Sequence, residues 1–188
     1  MSFVDRYLVE LEQAIHNLSR DDLEAVVEAL MVAWHQEQQI FIIGNGGSAA
    51  TASHMMNDIN KLTISTGKRR FRGIALTDNM ALITAWGNDV TYDDVFAEPL
   101  RNLMRPSDVL IAISTSGDSP NVLQAVQVAR NEFGAQVIGI TGDKGGQLAH
   151  MVDLLVRVPS PHQGQQEDGH LIVNHVLCNA LAHEIRES

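Results

Sequence analysis

Five short runs of aliphatic residues, each followed by a polar or glycine-rich turn, constrain the fold of this chain more than any other feature. The runs cover residues 39–43, 73–76, 109–113, 136–140 and 154–158. Runs that are apolar on both faces are typical of parallel strands that helices cover on both sides. Stretches with helical spacing lie between them, so strand and helix alternate along the chain. The sequence therefore predicts an α/β fold, a doubly wound parallel sheet of about five strands flanked by helices.

The predicted helices fall before, between and after these runs. Those after the first run cover residues 49–62, pieces of 80–104, 120–133, 146–150 and 168–185. Ahead of it, Val4, Leu8 and Leu11 begin an apolar stripe with spacings of four and three, and Ser19 with Asp22 resembles a capping box. We therefore expect an N-terminal helical hairpin within residues 1–36. No repeat or linker divides the chain, so we expect one domain.

Composition limits the partners. Lys and Arg total 13, Asp and Glu total 23, and the formal net charge is −10. Because such a chain has no bulk cationic surface, we expect no nucleic acid and no membrane as partner. The single cysteine, Cys178, excludes an internal disulfide framework. No apolar run approaches the roughly 20 residues of a membrane span and no signal peptide is visible, so we expect a cytoplasmic protein.

Two segments follow predicted strands at their carboxyl ends, where open parallel sheets bind ligands. The glycine turn, residues 45–48, reads Asn-Gly-Gly-Ser; its glycines allow close backbone approach, and the helix after it offers free N–H groups. The hydroxyl loop, residues 114–119, reads Ser-Thr-Ser-Gly-Asp-Ser and precedes Pro120, which suits a first helical turn. Hydroxyls and N–H groups can hold a phosphate without cations. The alternatives are a structural turn for the first segment and ordinary helix capping for the second.

Histidines and carboxylates form two further groups. His54 and Asp58 lie four residues apart and so share a helix face. The second group lies near the start of the last predicted helix and consists of Glu167, Asp168, His170 and His175. Two histidines with carboxylates suit a divalent metal such as zinc, and equally a general acid and base. The alternatives are a surface pair for the first group and capped or core histidines for the second.

One loop, residues 63–72, is basic and carries Lys68, Arg69, Arg70 and Arg72. It could face a phosphate or an acidic partner, including the site of a neighbouring subunit. The alternative is an ordinary solvated loop.

Six segments in order along the chain resemble the phosphosugar isomerase (SIS) domain, and more narrowly its phosphoheptose isomerase subgroup. The segments are GNGGSAATASH, WGND, ISTSGDSPNV, ITGDKGG, VPS and EDGHLIVNH. The resemblance implies that residues 1–188 form a single SIS domain whose N-terminal helices, residues 1–36, pack a homotetramer. It also implies isomerisation of a ketose phosphate to an aldose phosphate through an enediol(ate). The implied reaction converts sedoheptulose 7-phosphate into D-glycero-D-manno-heptose 7-phosphate.

The resemblance also assigns roles to residues. The substrate-binding positions would be Asn45, Gly46, Gly47, Ser48, Asn88, Asp89, Ser114, Thr115, Ser116 and Ser119. The ligands of one zinc ion per site would be His54, Asp58, Glu167 and His175. The catalytic residues would be Asp58, Glu167 and His175, the last as proposed acid.

Two positions depart from the family pattern. Asp58 stands where the family has a glutamate, so its carboxylate would lie about 1 Å or more further back, a displacement that can cost about a hundredfold in rate. The family's glutamine ligand falls on Glu167 without a gap, with Gln166 and Asp168 as alternatives. The first departure leaves a second function open: a non-catalytic sugar-phosphate-binding or scaffold SIS protein, of the kind that binds the bacterial replication initiator.

Overall fold

The computed structural model describes residues 1–188 and is built on one sheet of five parallel strands in the order β2-β1-β3-β4-β5. The strands are β1 (Gln39–Gly44), β2 (Arg72–Ala75), β3 (Val109–Ser114), β4 (Gln136–Gly142) and β5 (Leu154–Val158). This order and these bounds confirm the predicted α/β class and the five predicted strands.

Alternate residues of each central strand pack into different cores. In β1, Ile40 and Ile42 join the core on one face of the sheet, whereas Phe41 and Ile43 join the core on the other. All four side chains are fully buried. Because both faces are covered, the buried positions on both faces of the strand are apolar, which explains the uninterrupted aliphatic runs.

Helices form the two outer layers. The helices are α1 (Phe3–His16), α2 (Arg20–His35), α3 (Gly47–Lys61), α4 (Met80–Asp89), α5 (Ala97–Leu103), α6 (Pro120–Phe133) and α7 (Gln163–Glu187). α2, α3 and α7 share one core, and α5 and α6 share the other. α1 packs on α7. None of these helices is both long enough and apolar enough to span a bilayer.

Three local expectations were wrong or incomplete. A helix over residues 146–150 does not form; Gly145 and Gly146 both have positive φ, and only a 3-10 turn, Leu148–His150, follows. α7 begins at Gln163, five residues before the predicted start. The His162 side chain accepts the backbone N–H of Gly164 and so caps the helix there. At α2 the Ser19 hydroxyl accepts the N–H of Asp22, but the full reciprocal capping box lies at the start of α1.

The two predicted N-terminal helices, α1 and α2, both form, but each packs on α7 rather than on the other as a hairpin, and α1 leaves apolar side chains uncovered. Phe3, Val4, Leu8 and Val9 are between 51% and 64% exposed. Val4 and Leu8 are one helical turn apart and so share a face, and exposed apolar side chains grouped on a surface helix are typical of a protein–protein contact.

Candidate active site

The glycine turn and the hydroxyl loop lie side by side at the carboxyl edge of the sheet. They follow β1 and β3, which are adjacent and in register, with Gly44 paired to Ile113. β2 lies on the outer side of β1 and β4 on the far side of β3, so the chain leaves these two strands in opposite directions. This is the topological switch point, where α/β sheets of this strand order form their ligand crevice.

Three hydroxyls converge in the hydroxyl loop. The Ser114 Oγ lies 3.5 Å from the Ser116 Oγ and 3.4 Å from the Ser119 Oγ, and it accepts the backbone N–H of Gly117 at 3.1 Å. Gly117 has a φ of +70°, which folds the loop back on itself. The loop therefore presents several hydroxyls to one point at the start of α6.

A cavity of about 380 Å³ lies between the two segments. Its walls are Asn45, Gly46, Gly47, Ser48, Ile113, Ser114, Thr115, Ser116, Ser119, Gln163 and Glu167. Eight of the ten predicted substrate-binding residues are in this set. No lysine or arginine lines the cavity, so an anion there would be held by hydroxyls, backbone N–H groups and the N-termini of α3 and α6.

The other two predicted substrate-binding residues, Asn88 and Asp89, do not line this cavity. They are exposed at the end of α4, where the Asn88 amide donates to the Asp89 carboxylate at 2.7 Å. Their role stays a prediction. The nearby Tyr92 reaches the site instead, since its hydroxyl donates to the Asn45 Oδ1 at 3.1 Å.

Asn45 is fixed by an amide pair that sequence reasoning missed. Its Nδ2 donates to the Asn121 Oδ1 at 2.8 Å, and the Asn121 Nδ2 donates to the Asn45 Oδ1 at 2.9 Å. Asn121 lies 76 residues further along the chain, in the first turn of α6, so no local pattern reveals the pairing. The pair ties the glycine turn to the first turn of α6, directly after the hydroxyl loop, and so links the two walls of the cavity.

Glu167 projects from α7 over the first turn of α3. A Cβ atom placed on Gly47 would lie 2.5 Å from the Glu167 Oε2, so only glycine leaves room for this carboxylate. The Gln163 Nε2 donates to the other carboxylate oxygen at 3.3 Å. The N-terminal end of a helix dipole favours a negative charge at this position. Glu167 thus lines the cavity, and its carboxylate is placed to contact a ligand bound in it.

His54, Asp58 and His175 come together where α3 packs against α7, and we call them the His–Asp cluster. The His54 Nε2 lies 3.4 Å from the Asp58 Oδ2, the His175 Nε2 lies 3.9 Å from the same oxygen, and the two Nε2 atoms are 3.4 Å apart. The side chains of the histidines are 42% and 48% exposed, whereas that of Asp58 is 13% exposed. The cluster therefore opens to solvent above a nearly buried carboxylate.

The geometry of the His–Asp cluster fits a zinc ion. Zinc ligands lie about 2.0–2.2 Å from the metal at tetrahedral angles, which puts neighbouring ligand atoms about 3.3–3.6 Å apart. Two of the three observed separations are 3.4 Å and the third is 3.9 Å. A set of two histidines and one carboxylate with an open fourth position is also the pattern of catalytic zinc sites. Glu167, the fourth predicted ligand, is not in this group of three; as a ligand it stays a prediction.

The predicted group on the last helix is thus divided among four environments. Glu167 lines the cavity and His175 joins the His–Asp cluster. Asp168 accepts the Tyr7 hydroxyl at 2.6 Å, a bond that raises the pKa of that tyrosine. His170 is fully buried and neither ring nitrogen has a hydrogen-bond partner; burial lowers its pKa. His170 is therefore a core histidine, one of the alternatives that the sequence left open.

Two cations of the basic loop have structural contacts. The Arg69 guanidinium donates to the His35 carbonyl at 2.6 Å and lies over the Trp34 ring, 5.6 Å from its centroid. Arg72 donates to the Glu37 carbonyl at 3.1 Å. Both fasten the loop to the end of α2, so these contacts favour a structural role for that part of the loop.

Comparisons with known proteins agree with this geometry. A model of the SIS domain matches residues 3–142. A phosphoheptose isomerase of Rhodospirillum rubrum is 43% identical over 143 residues, which covers 76% of this chain and 75% of that protein. A phosphoheptose isomerase of Mycobacterium bovis is 35% identical over 97% of this chain and 92% of its own length. The solved structure of a phosphoheptose isomerase from Neisseria gonorrhoeae superposes with a TM-score of 0.87 at 32% identity, covering 95% of this chain and 96% of that one.

Proposed function

Because this chain belongs to the SIS-domain family, and within it to the phosphoheptose isomerases, we propose that its cavity and its His–Asp cluster together isomerise sedoheptulose 7-phosphate to D-glycero-D-manno-heptose 7-phosphate. One observation carries the proposal. The cavity and the cluster lie along the same two helices, α3 and α7, which lead from one to the other. Ser48 and His54 are six residues apart on α3, or about 9 Å at a helical rise of 1.5 Å.

In this proposal the hydroxyl loop and the glycine turn hold the phosphate, and the sugar carbons extend along α3. An acidic chain can bind such an anion because fixed N–H and O–H dipoles replace cations. Glu167 would accept hydrogen bonds from sugar hydroxyls at the cavity wall. Binding the phosphate at one end positions the carbonyl end of the sugar against the cluster.

Asp58 is our candidate for the general base. It would take the proton from carbon 1 of the ketose, leaving an enediol(ate), and the proton would return at carbon 2 to give the aldose. His175, whose Nε2 lies 3.9 Å from the Asp58 carboxylate, would move the hydroxyl proton between the two oxygens while that nitrogen is free of metal, because a metal-bound Nε2 has no proton to give. Glu167 is the second candidate for the base, since it is the only other carboxylate that lines the cavity or the cluster.

We further propose that the cluster holds one zinc ion through His54, Asp58 and His175, with Glu167 as the fourth ligand on the sugar side. A bound zinc ion would supply Lewis-acid polarisation of the substrate oxygens. Two observations support this site: the ligand-atom separations near 3.4 Å and the choice of two imidazoles with one carboxylate.

The scaffold alternative is disfavoured. A protein that only binds a partner has no use for two exposed histidines around a buried carboxylate, since burying that charge costs stability. The similar proteins of high coverage are also named as isomerases. Asp58 in place of a glutamate therefore fits an altered but functional site.

We propose that residues 1–36 mediate assembly into a homotetramer. The support is the exposed apolar face of α1, where Phe3 and Val4 are 61% and 64% exposed. Light scattering on the purified protein tests this directly: Val4→Glu with Leu8→Glu should lower the mass, and Glu12→Lys should not.

Two further expectations stay predictions. They are that residues 1–188 form a single domain and that the protein is cytoplasmic.

Kinetics of three variants test the catalytic proposal. His175→Ala should abolish turnover with the fold intact, while His183→Ala, an exposed histidine eight residues further along α7, should leave it unchanged. Ser116→Ala should raise the KM for sedoheptulose 7-phosphate, because it removes one hydroxyl from the phosphate site. An active His175→Ala protein would refute the assignment.

A further inference from the structure

The Asp58 carboxylate accepts hydrogen bonds from two asparagine side chains in addition to its contacts with the two histidines. Its Oδ1 accepts the Asn57 Nδ2 at 3.1 Å, and its Oδ2 accepts the Asn174 Nδ2, also at 3.1 Å. The second bond ends on the oxygen that faces both imidazoles. Asn174 therefore acts on the reactive oxygen from the protein side, opposite the solvent-facing histidines.

Asn174 is fully buried, so its amide must be satisfied within the protein. The Asn174 Oδ1 accepts the thiol of Cys178 at 3.3 Å, one helical turn further along α7. The reversed amide would place its oxygen against the Asp58 carboxylate, which is also an acceptor, and lose that hydrogen bond. The carboxylate thus decides which way the amide faces, and the thiol supports that orientation from the other side; burial raises the pKa of Cys178 to about 12, which keeps the proton that it donates.

From this chain of contacts we infer that Asn174, supported by a hydrogen bond from Cys178, is a positioning residue that holds the Asp58 carboxylate in reach of substrate. An aspartate side chain turns about two bonds, and the 13% of it that is exposed lies toward solvent. Without the Asn174 donor, the carboxylate can rotate outward and recover its hydrogen bond from water. A displacement of about 1 Å at a reacting group can cost about a hundredfold in rate.

The inference rests on the proposed function, and two readouts keep the two separate. Asn174→Leu keeps a side chain of similar size and removes the donor; it should lower kcat about 10–100-fold, as is usual for groups that orient a catalytic or ligating side chain. The KM should not change, because Asn174 does not line the phosphate cavity. In a crystal structure of this variant, the Asp58 carboxylate should have left the two histidines.

Matched variants separate positioning from folding. Val173→Ala creates a cavity at the adjacent, equally buried position and removes no hydrogen bond, and kcat per folded molecule should stay at the wild-type value. Cys178→Ala should lower kcat by a smaller factor, and Cys178→Ser, which keeps a donor, should restore it. These two small substitutions test the inference even where Asn174→Leu does not fold.

The outcomes are distinct. Unchanged kcat in Asn174→Leu, or a lowered kcat with the Asp58 carboxylate still between the histidines, would overturn the inference and leave the isomerase intact. A wild-type protein without turnover would refute the proposed function. In that case the carboxylate position in the crystal structures of the Asn174→Leu and Cys178→Ala variants still decides whether Asn174 positions Asp58.

Discussion

Replacing Gly117 by alanine should destabilise the protein through a clash between two backbone segments. A Cβ at this position would fall inside van der Waals contact of the Gly145 carbonyl oxygen and 2.5 Å from its carbon. The same segments are joined by the Leu148 N–H, which donates to the Gly117 carbonyl at 2.9 Å. Because the obstacle is backbone and not a flexible side chain, the hydroxyl loop must move away from the turn after β4.

The magnitude follows from two contributions, and Gly134 provides the control for one of them. Gly134 also has a positive φ, +58° against +70°, but nothing lies within 4 Å of its added Cβ. Gly134→Ala should therefore cost only the left-handed backbone strain, about 1–2 kcal/mol. Gly117→Ala should cost this strain plus an overpacking penalty of about 1–3 kcal/mol.

Urea unfolding followed by far-UV circular dichroism measures both variants against the wild type. Gly117→Ala should lose about 1–3 kcal/mol more of the free energy of unfolding than Gly134→Ala does. Under conditions where both are folded, only Gly117→Ala should raise the KM for the sugar phosphate, since the displaced loop carries Ser116. Equal destabilisation of the two variants would refute the close contact between the loops.

Three further predictions concern other contacts. Burial lowers the pKa of His170, so the unfolded chain binds a proton before the folded protein does as the pH falls below about 6.5, and wild-type stability drops. His170→Leu should therefore lose less free energy of unfolding than the wild type between pH 7 and 5. An identical pH dependence of stability in the two proteins would contradict this. Gly47→Ala should displace the Glu167 carboxylate and change kcat or KM without a large loss of stability, and wild-type kinetics would contradict its close approach. Arg69→Ala should lower the free energy of unfolding by about 1–2 kcal/mol, because it removes the hydrogen bond to the end of α2. The neighbouring Arg70 is exposed, so Arg70→Ala should change the free energy of unfolding little. Equal losses in the two variants would contradict the anchoring role of Arg69.

The strands could be predicted from the sequence because burial on both faces requires an uninterrupted run of apolar residues. Residues 40–43 of β1 and 109–113 of β3 are all apolar because both faces of these strands are buried, and this pattern is visible within each segment alone. The start of α7 could not be predicted in the same way. Its first turn, residues 163–166, carries no aliphatic residue, and the signal is a histidine cap at His162 rather than a common Ser, Thr, Asp or Asn cap.

The candidate site was predictable where its residues share a helix or a strand end. His54 and Asp58 are one turn apart, and the glycine turn and the hydroxyl loop each follow a strand. The supporting contacts were not predictable, because they join distant segments: Asn45 with Asn121, and Asp58 with Asn174 across 116 residues. An asparagine on an otherwise apolar helix face gives no indication of the carboxylate that it meets.

Isomerisation of sedoheptulose 7-phosphate in D₂O, followed by proton NMR, tests the central claim most directly. The His–Asp cluster is open to solvent, so a proton held on Asp58 should exchange before it returns to the sugar. We predict that the wild-type protein forms the aldose with deuterium at carbon 2 and that His175→Ala forms none. Failure of the wild type to form the aldose, or equal product from His175→Ala, would contradict the account.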